Sequence, residues 1–90
     1  MAEIFEVALA SNNKSRLRFY HSGGQLHGGS SVLKVRDDCG GSWIFDCKSE
    51  GGGYFTISGP GWSAFAKSRI NAMVTLFKQA DGFYTIRVGY

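Results

Sequence analysis

Ninety residues, 43% of them hydrophobic and 14% aromatic, suffice for one globular domain with one core and are too few for two. The formal charge is a mild +3, and two cysteines fall far below the density of a disulfide scaffold. No apolar run approaches the roughly 20 residues of a membrane-spanning helix, and the thirteen glycines against one proline suit a small all-β domain with many tight turns.

Ile4 to Leu9 alternates, with Phe5, Val7 and Leu9 on one face and Glu6 on the other, which predicts a half-buried first strand. Ser11-Asn12-Asn13-Lys14 reads as a polar turn, and Asn13-Lys14-Ser15 also matches a glycosylation sequon that matters only in a secreted chain. Arg16 to Tyr20 predicts a second strand, Leu17 and Phe19 inward, Arg16, Arg18 and Tyr20 outward. His21 to Ser30 reads as a loop with a short strand at Gln25 to His27. Ser31 to Arg36 predicts a third strand, with Leu33 and Val35 opposite Lys34 and Arg36, ended by Asp37-Asp38-Cys39-Gly40-Gly41.

Trp43-Ile44-Phe45 is apolar on both faces and predicts a central strand covered on two sides. A glycine-rich connection leads to a strand at Tyr54 to Ile57, and Gly59-Pro60-Gly61 breaks the chain. Trp62, Phe65, Ala66, Arg69, Ile70 and Met73 follow at helical spacing, which predicts one short helix around Ser63 to Ala72, capped by Ser63. Between Met73 and Tyr90, two runs rich in β-branched and aromatic residues flank Ala80-Asp81-Gly82, a strong hairpin signal.

The fold class expected is therefore all-β: a mostly antiparallel sandwich or small barrel of seven or eight strands in one domain. Phe19-Tyr20, Tyr54-Phe55 and Phe83-Tyr84 each follow a turn, and this loose triplication resembles the lobes of a β-trefoil, which stands as the architectural alternative.

No acid falls between Glu6 and Asp37, whereas Lys14, Arg16, Arg18, Lys34 and Arg36 all do; neighbouring strands there would make one side electropositive. Met1-Ala2-Glu3-Ile4 lacks the basic start and apolar run of a signal peptide. A tight Gly40-Gly41 turn would oppose Cys39 to Ser42 or Trp43, not Cys47, so free thiols are expected. The expected location is cytoplasmic or release without a classical signal peptide, and secretion if a signal was removed.

Signatures for catalysis are thin. His21 and His27 form a His-x5-His pair that, with a nearby cation, would serve an acid–base nuclease. Cys39 or Cys47 lacks the local signature of a Cys–His hydrolase, and neither the histidine nor the cysteine spacing suits zinc. No enzyme, metal or cofactor is expected.

Binding fits better. A lectin site pairs an aromatic platform with polar edges: Trp62 supplies the platform if it does not open the core face of the helix, and Asn12, Asn13, His21, Gln25, His27, Asp37 and Asp38 supply the edge. The expectation is a non-enzymatic carbohydrate-binding module with a glycan ligand, forming a homodimer through the terminal strand that ends at Tyr90. Alternatives are a protein-binding inhibitor or interaction module, and a basic nucleic-acid-binding barrel using Arg16, Arg18, Tyr20, Lys34 and Arg36.

Overall fold

The computed structural model describes residues 2–21 and 30–89. Seven strands run in chain order: β1 (Ala2–Ala8), β2 (Arg16–Tyr20), β3 (Ser30–Asp37), β4 (Ser42–Gly51), β5 (Tyr54–Ser58), β6 (Met73–Lys78) and β7 (Tyr84–Gly89). One helix, α1 (Pro60–Ala66), separates β5 from β6, and a 3₁₀ turn at Ser11–Asn13 separates β1 from β2.

The strands form one sheet in the order β1-β6-β7-β3-β4-β5-β2, antiparallel throughout except where β3 meets β7. The sheet curls into a nearly closed barrel. Its two edges, β1 and β2, close by side-chain packing, with the Phe5 and Phe19 rings 4.7 Å apart. This bears out the all-β expectation in its small-barrel form. A single sheet of this order has no threefold lobes, so the β-trefoil alternative falls. The terminal strand β7 lies between β6 and β3, paired with β6 along its whole length and with β3 over Tyr84–Ile86, so it is not an edge of the sheet; the edges are β1 and β2. A central β7 is not the free edge strand that the expected homodimer would use.

Alternation explains most strands. Leu17 and Phe19, Leu33 and Val35, Phe45 and Cys47, and Phe55 and Ile57 all point inward, while their neighbours face out. Two local readings change. A register shift between Glu3 and Phe5 buries both Ile4 and Phe5, where strict alternation would bury one. Ile44 is 59% exposed, so β4 is covered on one face only, despite its apolar run.

The helix begins earlier than its apolar stripe alone indicates. Gly59 is the N-cap and Pro60 occupies the first turn, where a missing N–H costs nothing; Ser63 lies inside, donating its N–H to the Gly59 carbonyl at 3.0 Å. The helix stops at Ala66, and Asn71, at φ 74°, turns the chain into β6, so Arg69 and Ile70 lie beyond it. Trp62 and Phe65 plug one end of the barrel against Phe45, with ring centroids 5.2 and 5.6 Å from it. A Cβ on Gly61 would lie 1.9 Å from the Ile44 carbonyl oxygen, so only glycine allows the helix to sit this close to β4.

The β6–β7 hairpin forms as the Asp81-Gly82 signal predicts. Gln79 N–H donates to the Phe83 carbonyl at 2.8 Å, and Gly82 takes φ 87°. Arg36 pairs with Asp81 at 2.9 Å and lies over the Phe83 ring, tying the hairpin to β3. Cys39 is exposed and Cys47 buried, and both are free thiols; burial pushes the Cys47 thiol up to about 11. Among the described residues no helix is long and apolar enough to cross a membrane.

Candidate nucleic-acid interface

The outer face of β2 is the most cationic strand surface near a concavity. Alternation places Arg16, Arg18 and Tyr20 outward. Opposite them on β5 stand Ser58, Thr56 and Tyr54, and across from Thr56 on β4 stands Lys48. Arg18 and Lys48 therefore flank Thr56 in one row across three strands. The Arg18 guanidinium lies 4.5 Å from the centre of the Tyr54 ring, a cation–π contact that restrains it. Among the described residues neither Arg16 nor Arg18 has a carboxylate partner.

The 3₁₀ turn walls one end of this face. Its shape follows from a local exchange: Ala10 N–H donates to the Asn13 side-chain oxygen at 2.9 Å, and Asn13 N–H returns to the Ala10 carbonyl at 2.9 Å. A second tie comes from far along the chain. The Trp62 indole N–H donates to the Asn13 carbonyl at 2.7 Å, clamping the turn onto the helix that plugs the barrel. Asn12, Asn13, Arg16, Arg18, Glu50 and Thr56 together line an open polar concavity of about 640 Å³. Thr56 donates its hydroxyl to Glu50 at 2.8 Å, fixing the one carboxylate in the lining.

Guanidinium forks match phosphate oxygens and the guanine edge bidentately, a side-chain amide matches adenine, and a carboxylate accepts from the cytosine amine. Asn12 is exposed and open to a ligand; Asn13 is engaged by its own turn.

The residues expected to share a sugar site do not assemble one. Trp62 is 0% exposed, edge-on to Phe45, and spends its indole N–H on Asn13. The Gly-Pro-Gly break ahead of it is a helix start, not an exposed loop. Asn12 and Asn13 lie at the Arg16 end of β2 and His21 just past its other end, where its N–H donates to the Gly53 carbonyl at 2.8 Å. Gln25 and His27 lie outside the described residues.

Asp37 ends β3 and Asp38 opens the β3–β4 turn, beside a separate 290 Å³ concavity lined by Asp38, Cys39, Ser68, Arg69 and Val88. Asp37 is a structural group: its carboxylate accepts the Trp43 indole N–H at 2.9 Å and the Gly41 and Cys39 amides at 2.7 and 2.9 Å. The Trp43 bond foremost, then those amides and the nearby Arg69 charge, hold its carboxyl below the usual range against the opposing effect of burial.

The electropositive side is also redrawn. β3 pairs with β4 and β7, not with β2, so two whole strands, β4 and β5, separate Lys34 and Arg36 from Arg16 and Arg18. Lys48, Thr56, Glu50 and Tyr54 take their place. Sequence reasoning missed these because β2 and β5 are some forty residues apart; the alternation Tyr54, Thr56, Ser58 against Phe55, Ile57 was the signal available.

No family model matches the chain, and no curated protein sequence does. Among solved structures it is similar to an Arabidopsis FUS3–DNA complex, at a TM-score of 0.67 over 98% of this chain and 97% of that one, with 10% sequence identity. At that identity the likeness is one of fold. It nevertheless overturns the lectin expectation and its glycan ligand: the fold is shared with a protein solved on DNA, and the aromatic platform that argued for sugar is buried core.

Proposed function

We propose that this domain binds DNA through the outer face of β2, with Arg16 and Arg18 as its principal cations, Lys48 beside them, and Asn12 at the rim. The observation that carries the reading is two outward guanidinium groups, without carboxylate partners among the described residues, in a polar concavity. The fold likeness to a DNA-bound protein supports it. Phosphate neutralisation supplies most sequence-independent affinity, and it does so by releasing counterions.

Fluorescence anisotropy on a labelled duplex, titrated between about 50 and 200 mM salt, tests this. Each phosphate contact contributes close to one unit to the slope of log affinity against log salt. The Arg16→Ala/Arg18→Ala double variant is expected to bind more weakly at every salt concentration and to flatten the slope by about two. Lys67→Ala, at an exposed cation that caps the C-terminus of α1 and does not line the concavity, is expected to change neither. Equal slopes for wild type and the double variant, or no binding at the lowest salt, would sink the reading.

A further inference from the structure

At the far end of β2 the cationic row gives way to aromatic rings. Tyr20 and Tyr54 are directly opposed on β2 and β5, their rings 5.3 Å apart and inclined by 66°. Outward strand positions beside water usually carry polar groups, yet Tyr20 is 56% exposed and Tyr54 43%. Tyr54 has the Arg18 guanidinium over its face.

Tyr20 is backed differently. A Cβ on Gly53 would fall 2.6 Å from Tyr20 Cε2 and 3.2 Å from Cδ2 and Cζ, so the ring lies against bare backbone. Gly53 holds φ +87°, and the His21 N–H bond to its carbonyl carries the β2–β5 ladder past Tyr20. With Gly53 behind it and the Tyr54 ring inclined against it, the ring is braced by two neighbours while more than half of the residue stays open to solvent. A phenol has only two side-chain torsions to lose, so such a ring is a low-entropy contact surface.

We propose that Tyr20 is a stacking platform for a single unpaired nucleobase, so that the domain takes DNA with one base out of the helix in preference to a perfect duplex. The proposal rests on the DNA-binding reading above and extends it. Its occupant follows from chemistry: a polyanion drawn to Arg16 and Arg18 passes a flat, preordered ring. Within a duplex both faces of a base are covered by neighbours, so an aromatic side chain stacks only on a base that has left the stack. Base–aromatic stacking is sequence-tolerant and is typically worth a factor of about five to a hundred in affinity.

The test uses two oligonucleotide duplexes of one sequence, one perfect and one carrying a single bulged 2-aminopurine, a fluorescent base quenched by stacking. Wild type is expected to bind the bulged duplex about tenfold more tightly and to quench its fluorescence. Tyr20→Leu is expected to lose both the preference and the quench while keeping the perfect-duplex affinity, which also shows that the variant is folded; Tyr20→Phe keeps both. Equal binding of the two duplexes by wild type, with the Arg16 and Arg18 dependence intact, overturns the stacking platform and leaves DNA binding standing. An undiminished preference in Tyr20→Leu overturns it as well. Binding of neither duplex overturns both readings together.

Discussion

Asp37→Asn is the sharpest probe of how the β3–β4 turn is held. The carboxylate uses Oδ1 for the Cys39 and Gly41 amides and Oδ2 for the Trp43 indole N–H. Asparagine is isosteric but keeps one oxygen. If that oxygen faces the two amides, the new NH2 confronts the indole N–H, donor against donor. If it faces the indole, two amides lose their acceptor. Hydrogen bonds to a charged group are worth about 1.5–3 kcal/mol each, and partial exposure of the turn discounts that, leaving an expected loss of about 1–2 kcal/mol near pH 7.

The pH dependence gives a second, independent handle. Because the folded carboxyl titrates below its unfolded value of 3.8, its stabilisation is fully present above that value. It is lost as pH falls through the folded value. The gap between wild type and Asp37→Asn should therefore be widest near neutrality and shrink below about pH 4. Urea unfolding followed by tryptophan fluorescence at neutral and acid pH measures it. A gap as large near pH 2 as near pH 7 would refute the account of this turn, and so would a loss under about 0.5 kcal/mol at neutrality.

Two further substitutions probe how the helix seats on the barrel. Gly61→Ala forces a methyl to within 1.9 Å of the Ile44 carbonyl oxygen, a backbone atom that cannot swing aside, so it should cost about 3 kcal/mol in thermal or urea unfolding, and a cost under 1 kcal/mol would contradict the close approach. Trp62→Ala should cost about 3–5 kcal/mol through the cavity it leaves against Phe45 and the orphaned Asn13 carbonyl, where an exposed ligand platform would instead be lost at almost no cost in stability.

What the sequence made legible was what local chemistry sets. Alternation at Arg16 to Tyr20 and Tyr54 to Ser58 gave both strands and their outward residues, and Asp81-Gly82 gave the last hairpin, because each depends on residues a few positions apart. Trp62 was harder. Its 3.6-residue spacing with Phe65 and Ala66 pointed to the core, while Gly59-Pro60-Gly61 pointed to an exposed break. The break proved to be an N-cap with proline in the first turn, so both signals describe one helix start.

The site itself depends on register between distant segments, which no local pattern encodes. Grouping Lys34 and Arg36 with Arg16 and Arg18 assumed that strands successive in sequence are neighbours. Here β2 instead closes onto β5, and β3 reaches β7 in parallel. The same long-range pairing that concealed the site also gives it rigidity. Arg18 is restrained by Tyr54 from β5, the 3₁₀ turn is clamped by Trp62 from the helix, and Tyr20 is braced by Gly53 from the β4–β5 turn. Each contact brings a group of the β2 face or its flanking turn under the control of a segment roughly 35 to 50 residues away in sequence. Positioned by strands and a helix instead of by a mobile loop, these groups would lose little conformational freedom on meeting the proposed DNA, and that saving would count toward affinity.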